Sequence, residues 1–372
     1  MMQWTLSVTA IVRRWNQRSI QERVDQFMQN KSRRGVVSQV GIFILTLTAS
    51  LAVCAAKTVT VAADGSGDFK TVNAAIAAIP DGASERTVLH IKPGTYAEQV
   101  FIAKNKGPIS FVGDDPKTTI ITYDRNVFEP QSQGVPVKYK GIGTIVLSND
   151  FWAKNITFQN SSGDHGQALA LRIDGDRAIV TDSRLLAWQD TLRVEKGRSY
   201  FANDYIEGRV DFIYGSGTAV FWACQMHSKD GGFVTAASTP QDHPYGFVFF
   251  NCKLTGDPNP WPGSATTKPA RSSLEADLGR PWRPYAAVTY YRCEMGNHIS
   301  AKGYNNWGNA KNETTARYRE YDCTGPGADR SKRVSWAKEL TDSEASQYTL
   351  ANILGGTDNW NPLAELSAAT QP

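Results

Sequence analysis

The sequence has few of the cysteine and histidine residues from which metal sites and thiol active sites are built. Its 372 residues include five cysteines and five histidines, and none of them falls in a CxxC, HxH or HExxH pattern. We therefore predict no metal site and no cofactor. The GxSxG pattern of a serine nucleophile is also missing. Any catalytic chemistry has to come from other side chains.

A strong charge of one sign is also missing from most of the chain. The formal net charge is +4, but residues 1–56 hold seven basic and two acidic residues, which leaves 33 basic against 34 acidic residues in 57–372. This balance does not indicate a nucleic-acid partner, and any attraction for a polyanion must be local to a cleft. With 41% hydrophobic and 20% charged residues, the chain can build a substantial core.

The N-terminal segment 1–56 has the pattern of an export signal. Basic residues precede the uncharged run GVVSQVGIFILTLTASLAVCAA, which ends in small residues and is followed at once by the polar KTVTVAADGSGDF. This order predicts a secretory signal that is cleaved after Ala55 or Ala56. The basic region has ordinary proportions when it is read from Met28, which is therefore an alternative start.

Two alternatives to a cleaved signal stay open. The apolar run is just long enough to span a bilayer, so it could be an uncleaved anchor. Cys54 also raises a lipoprotein interpretation, although Val stands where a small residue is usual. We predict a leader over 1–56, a single domain over 57–372, and a secreted, periplasmic or cell-surface location.

Long amphipathic helices are scarce beyond the leader. From about residue 88, short runs rich in Val, Ile, Phe, Tyr and Thr alternate with Gly, Asn and Asp, as in TVLHIKPG, PISFVGDD, TIVLSND and RAIVTDS. These runs are typical of strands separated by turns. The segment TVNAAIAAIPDG instead predicts a short N-terminal helix that caps an open end. Many short strands without Asn-Gly hairpin turns favour an all-β fold, a right-handed parallel β-helix, over a sandwich.

Four cysteines occur in one repeated context. The runs AVFWAC, FVFFNC, VTYYRC and YREYDC end at Cys224, Cys252, Cys293 and Cys323. In an exported protein an even number of cysteines suggests disulfides, and stacked free thiols are the alternative. The shared pattern predicts equivalent positions in successive coils.

Two aspartates, Asp190 and Asp211, lie in the apolar, aromatic-rich runs WQDTL and VDFIYG. Burying an ionised aspartate without partners costs several kcal/mol. Gln167, Gln189 and Asp211 follow one another at equal steps in the sequence, and residues one coil apart stack at about 4.8 Å. They would form a ladder with Asp190 beside its middle rung. A purely structural ladder is the alternative, but two aspartates in one cluster favour catalysis.

The motifs around these residues resemble those of the pectin methylesterases, carbohydrate esterases of the parallel β-helix (pectin lyase-like) class. The motifs stand in family order over residues 58–360 and are VTVAADGSGDFKTVNAAIAAIP, IKPGTYAEQV, QALAL, WQDTL, GRVDFIYG, LGRPW, YDCTGPGA and ILGG. The resemblance implies hydrolysis of methyl esters in pectin (methylated homogalacturonan), with water as the second reactant and methanol as a product. It also implies a monomer without metal or cofactor.

The resemblance further implies catalytic roles. Asp211 matches the nucleophile, which forms an acyl-enzyme anhydride, and Arg280 of LGRPW matches the arginine that orients it and keeps its pKa low. Asp190 matches the general acid that protonates the leaving methoxide and then activates water as a base. Gln189 and Gln167 match the amides that stabilise the oxyanion.

The same resemblance predicts residues that bind the substrate. Trp282 and Tyr214 match positions that line the cleft and stack on sugar rings, although Phe is usual in place of Tyr214. We predict Phe212 and Val210 as further substrate contacts, with packing as the alternative for both.

Two other functions stay open. A pectate lyase would share the fold and the polyuronate substrate, but it would need an acidic calcium cluster and a basic catalyst, and the paired glutamines argue against it. A non-catalytic polysaccharide-binding solenoid would fit only a broken acid pair. Calcium-independent activity separates the esterase from the lyase.

Overall fold

The computed structural model of the protein describes residues 57–257 and 275–369, all within one compact unit. The predicted leader 1–56, with its signal and its alternative start, lies outside the described residues. Within the described ranges, no helix is long and apolar enough to cross a membrane.

Strands make up most of the regular structure. In chain order they are β1 (Lys57–Val61), β2 (Thr87–Ile91), β3 (Gly94–Ala97), β4 (Val100–Ile102), β5 (Ile109–Gly113), β6 (Thr119–Tyr123), β7 (Ile142–Val146), β8 (Trp152–Lys154), β9 (Thr157–Asn160), β10 (Leu169–Ile173), β11 (Ala178–Thr181), β12 (Arg184–Leu186), β13 (Leu192–Val194), β14 (Arg198–Ala202), β15 (Tyr205–Gly215), β16 (Thr218–Trp222), β17 (Gln225–Ala237), β18 (Phe247–Phe250), β19 (Lys253–Gly256), β20 (Ala276–Gly279), β21 (Ala287–Tyr291), β22 (Glu294–Met295), β23 (Arg317–Tyr321) and β24 (Lys338–Glu339). The helices are α1 (Val72–Ala77), α2 (Asn312–Thr315), α3 (Asp342–Ala345), α4 (Leu350–Leu354) and α5 (Pro362–Ala369), with 3₁₀ turns at Val137–Tyr139 and Pro326–Ala328.

The strands pair in parallel and form a coiled solenoid. One sheet runs β1-β2-β5-β8-β11-β14-β16-β18-β21-β23-β24, so each neighbour lies one coil further along the chain. The second sheet has two lines of strands, which the long strands β15 and β17 join by pairing in both. This is the predicted right-handed parallel β-helix.

The coils differ in length although the strands stay in register. In the first sheet Arg198 pairs with Thr218, whereas Ser110 pairs with Trp152, so the earlier coil holds about twice as much chain as the later one. Because the paired strands are short in both cases, the segments between them absorb the difference.

The helix α1 confirms the short capping helix predicted near the N-terminus. The side chain of Thr71 accepts a hydrogen bond from the backbone N–H of Ala74, and the carboxylate of Glu98 accepts from Val72 and Asn73 at 2.8 and 2.9 Å. These acceptors satisfy N–H groups that the first helical turn leaves unpaired.

Aromatic side chains stack along the inside of the first sheet. Four rings follow one another at centroid distances of 4.8, 4.6 and 4.7 Å, and their planes are nearly parallel; they belong to Phe201, Phe221, Phe249 and Tyr290. The spacing matches the strand separation of about 4.8 Å, because each ring belongs to the next coil. The core is therefore built as rows of like side chains.

The four cysteines form one of these rows. A residue with positive φ follows each of their strands and turns the chain, and the cysteine comes next; these corner residues are Ala223, Asn251, Arg292 and Asp322. All four cysteines are free, and three of them are fully buried. The predicted equivalence is confirmed, and of the two alternatives the structure shows free thiols.

Candidate active site

The two aspartates lie in neighbouring coils at the bend between the two lines of the second sheet. Asp190 precedes β13 and Asp211 lies within β15, and since Leu192 pairs with Ile213, the aspartates share the same register. Their φ angles are 68° and 52°. A residue other than glycine adopts this left-handed conformation at a cost of about 1 kcal/mol or more, and such strain clusters at functional sites.

The glutamine ladder forms, but its third rung differs from the prediction. Gln167 pairs with Gln189 as expected, and Gln189 then pairs with Val210. The prediction of Asp211 as the third rung is wrong, because this coil is one residue shorter than the one before it. Asp211 stacks on Asp190 instead. The structure therefore has a pair of half-buried amides, Gln167 and Gln189, beside a pair of acids, Asp190 and Asp211.

Arg280 binds Asp211 through both carboxylate oxygens. Its Nε donates to Oδ1 at 2.8 Å and its Nη2 donates to Oδ2 at 2.6 Å. Arg280 follows β20, which pairs with β17 and is separated by it from β15. The arginine reaches across one strand to make this contact. The predicted pairing is confirmed, and its two-point geometry fixes the plane of the carboxylate.

The two carboxyl groups have different electrostatic environments. Burial raises the pKa of Asp190 to about 7, and the charge of Asp211 contributes to the rise. Burial also raises the pKa of Asp211, while the hydrogen bonds and charge of Arg280 oppose the rise. Arg280 thus lowers the pKa of Asp211 as predicted, but burial outweighs this effect, so the prediction of a low pKa is wrong in its net direction. Among the described contacts, Asp211 alone of the pair has a two-point cationic partner, so it is the carboxyl that ionises more readily.

An apolar surface lies next to the acid pair. The rings of Tyr214 and Trp282 meet edge to face at a centroid distance of 5.8 Å. Both belong to a cluster that also contains Tyr139, Leu169 and Ala236. Tyr214 is almost buried, with 6% of its surface exposed, and Trp282 is half-buried. The cluster provides an apolar surface of the kind on which a sugar ring can stack.

The two remaining substrate-binding predictions have different outcomes. Val210 is half-buried beside Gln189, which leaves part of it accessible at the site. Phe212 is fully buried in the main core. Its prediction as a substrate contact is wrong, because its ring is enclosed by the core and has no exposed surface.

The site offers carboxyl, amide and guanidinium groups. Within 57–257 and 275–369, no cluster of three or more histidine, cysteine or carboxylate side chains is placed to hold a metal ion. An ionised carboxylate can attack a carbonyl carbon, a protonated carboxyl can give its proton to a leaving group, and amide N–H groups can stabilise an oxyanion.

A family model described as Pectinesterase matches residues 58–357. The chain belongs to the pectinesterase family. It is 38% identical to "Pectinesterase 31" of Arabidopsis thaliana over 297 residues, which are 78% of this chain and 90% of that protein. Membership of this family makes the chain an ester hydrolase, as the sequence motifs predict, and not a lyase or a non-catalytic solenoid.

Solved structures agree with the family assignment. A pectin methylesterase from carrot superposes with a TM-score of 0.73 at 32% identity, covering 91% of this chain and 98% of that chain. A pectin methylesterase in complex with a hexasaccharide has a TM-score of 0.67 at 27% identity, with coverages of 82% and 97%. This chain covers nearly the whole length of both neighbours.

Sequence reasoning missed three residues that contact this pectinesterase site. Arg193 pairs in register with Tyr214, and its guanidinium carbon lies 5.2 Å from the centre of the Tyr214 ring. Strand alternation after Asp190 places Arg193 on the outer face and could have indicated it. Phe233 and Trp307 contact Arg280, and no spacing in the sequence indicates either, because they come from separate coils.

Proposed function

We propose that this chain removes methyl esters from pectin, with Asp211 as the nucleophile and Asp190 as the general acid and base. The observation that supports it most is the asymmetry of the acid pair. Two carboxyl groups share one register, and Asp211 has the bidentate arginine partner. Such a pair can hold one ionised and one protonated carboxyl at neutral pH, which the reaction requires.

The first half of the reaction forms the acyl-enzyme. A carboxylate oxygen of Asp211 attacks the ester carbonyl carbon, and the carbonyl electron pair moves onto the oxygen. The amides of Gln167 and Gln189 donate hydrogen bonds to this oxyanion. When the intermediate collapses, the carbon–methoxy bond breaks, Asp190 gives its proton to the methoxide, and methanol leaves.

The second half regenerates both acids. Asp190, now ionised, takes a proton from water while the water oxygen attacks the galacturonyl carbonyl of the anhydride. The bond to Asp211 breaks, and its electron pair returns to Asp211 as a carboxylate. Arg280 stays bound to Asp211 throughout and orients it. The products are a galacturonate carboxyl group and a reprotonated Asp190.

Pectin as the substrate fits the surroundings of the acid pair. Trp282 and Tyr214 offer an apolar surface beside it on which a pyranose ring can stack. A structural neighbour at 27% identity is a pectin methylesterase in complex with a hexasaccharide. A chain of sugars along the solenoid would place one methyl ester over the aspartates.

Export is part of the proposal. Pectin is an extracellular polymer, so an enzyme that acts on it has to leave the cell. The basic and apolar leader over 1–56 has the pattern of a secretory signal. N-terminal sequencing of the mature protein from the medium or periplasm tests this, and a start at or near Lys57 is expected.

Methanol release from highly methylated pectin tests the activity. We expect one carboxylate for each methanol released, with the same rate in the presence of a chelator. Unsaturated uronides, which absorb in the ultraviolet, would instead indicate a lyase. Pectin that is already demethylated is the matched control and should release no methanol.

The oxyanion role predicts the effect of Gln189→Ala. We expect kcat to fall by about 10²-fold with little change in KM, since the amide is needed most when charge develops on the carbonyl oxygen. Steady-state methanol release on a methylated oligogalacturonide measures both constants. A variant with only a raised KM would place Gln189 in ground-state binding.

The pKa of Asp190 predicts a pH dependence that Tyr214 modulates. Because Asp190 has to start protonated, kcat/KM should fall as the pH rises through its pKa of about 7. The Tyr214 hydroxyl hydrogen-bonds to Asp190 and lowers this pKa. In Tyr214→Phe the alkaline limb should therefore move to higher pH, with kcat changed less than about tenfold, since such a bond contributes about 1 kcal/mol.

The matched control for this change is Tyr200→Phe. Tyr200 is also buried but packs in a separate cluster that contains Ile179 and Trp360. Its pH profile should be that of the wild type. An unshifted alkaline limb in Tyr214→Phe would contradict the assigned hydrogen bond.

A further inference from the structure

The guanidinium group of Arg280 lies between two aromatic rings. Its central carbon is 3.8 Å from the ring centroid of Phe233 and 3.8 Å from that of Trp307. A cation within about 6 Å of a ring face is attracted to it, and the attraction grows when water is excluded. The same guanidinium makes both hydrogen bonds to Asp211.

Phe233 is fixed beneath the arginine by the sheet itself. It lies on β17, where it pairs with Val210 of β15 on one side and with Asp277 of β20 on the other. The ring therefore lies between the strand that carries Asp211 and the strand that leads to Arg280. It is 8% exposed, so its position is set by packing.

Trp307 covers the arginine from the solvent side, and its placement is unfavourable in two ways. Its φ is 62°, a left-handed conformation that strains any residue other than glycine, and 37% of its surface is exposed. Asn305 accepts a hydrogen bond from the Trp307 N–H at 2.8 Å, and Asn306 bonds to Glu313 at 2.7 Å. The loop thus holds a large apolar side chain in a strained and exposed position.

A further contact ties this loop to the arginine. The amide of Asn312 donates to the carbonyl of Pro281 at 3.3 Å and to that of Asn306 at 3.1 Å. Pro281 directly follows Arg280 in the chain. The loop that carries Trp307 and the segment that carries Arg280 are therefore joined by one side chain.

We propose that Phe233 and Trp307 are positioning residues that hold the Arg280 guanidinium flat against the carboxylate of Asp211. A guanidinium can make two parallel hydrogen bonds only while it stays in the plane of the carboxylate. The rings restrict rotation out of that plane and keep water from the ion pair. The inference rests on the proposed function, because it takes Asp211 as the nucleophile.

Trp307→Leu tests the proposal, because it removes the upper ring and keeps an apolar side chain. We expect kcat to fall about tenfold, equivalent to about 1.4 kcal/mol, with KM nearly unchanged. The acid limb of kcat/KM should also move to higher pH. Arg280 opposes the rise in the pKa of Asp211, so a looser arginine leaves that pKa higher.

The titrating groups around Asp211 determine how a shift in the acid limb of kcat/KM is interpreted. Asp211 is faced by Arg280 and by Asp190, and Tyr318 lies buried nearby with its pKa raised by burial. Asp190 determines the alkaline limb, and the charges of Arg193 and Arg280 lower its pKa. A looser Arg280 should therefore move the acid limb more than the alkaline limb, because Arg280 hydrogen-bonds directly to Asp211. Trp307→Tyr keeps a ring and should restore most of kcat. We therefore expect kcat to decrease in the order Trp, Tyr, Leu at position 307.

The matched control is Trp222→Leu. Trp222 is 38% exposed, close to the exposure of Trp307, but it lies on β16 in the other sheet. It should have wild-type kcat and pH profile. A rise in KM alone in Trp307→Leu would overturn the proposal in favour of sugar stacking, and unchanged kinetics would overturn it as well.

A variant of the other ring, Phe233, guards against the possibility that Trp307→Leu only disturbs folding. Phe233→Leu should show the same loss of kcat and the same shift as Trp307→Leu. If Asp211→Asn kept its activity, the proposed function would fail. If Asp211→Asn were inactive while both ring variants behaved as wild type, only the positioning role of the two rings would fail.

Discussion

The variant Asp211→Asn should release methanol at least about 10⁴-fold more slowly than the wild type, because an amide of the same shape cannot attack the ester carbonyl. Asn keeps one oxygen that can accept from Arg280, so the fold should persist. Steady-state methanol release gives the rate, and circular dichroism checks the fold.

A second buried aspartate provides the matched control for Asp211. Asp204 is 1% exposed, and its carboxylate accepts a hydrogen bond from the backbone of Ser183 at 2.8 Å. Burial raises its pKa well above the ordinary value, but no arginine of the described ranges pairs with it as Arg280 pairs with Asp211. Asp204→Asn should leave kcat close to wild type. Activity above about a tenth of wild type in Asp211→Asn would refute the nucleophile, since acid-base loss alone removes about 10²-fold.

Asp190→Asn should also lose methanol release, by about 10² to 10⁴-fold, because the methoxide then leaves without a proton. The two aspartates can be told apart with a galacturonate ester whose leaving group needs no protonation, such as a 4-nitrophenyl ester. Asp190→Asn should release one equivalent of nitrophenol per enzyme and then stop. Its acyl-enzyme forms but lacks the base that activates water.

Asp211→Asn is the control in this experiment and should give no burst. Steady turnover of the activated ester by Asp190→Asn would show that another group activates water. The absence of any burst would mean that Asp190 acts before the acyl-enzyme forms, in a way that does not depend on the leaving group.

The sequence was sufficient to predict the coil and the acid pair, because the recurring polar positions and the apolar surroundings of Asp190 and Asp211 carry this information locally. The arginine was predicted only from the resemblance of LGRPW to the family motif. The wrong third rung arose because one coil is a residue shorter. Phe212 was misplaced because the register is irregular between Val210 and Ile213, so the simple alternation of faces does not hold there. Phe233 and Trp307 could not be predicted, since their contacts with Arg280 depend on how separate coils stack.

The unequal coil lengths show that the shape of the substrate channel can change independently of the geometry of the reacting groups. Backbone pairing between strands fixes the distances among the reacting groups, however much chain the intervening turns contain. The turns can therefore be lengthened, shortened or exchanged to alter the rim of the substrate channel without moving the chemistry. A one-residue insertion inside the paired part of β15, between Val210 and Ile213, would in contrast shift Asp211 relative to Asp190. Exchanging turns in this fold could thus change which polymers the enzyme prefers, while the catalytic residues stay in place.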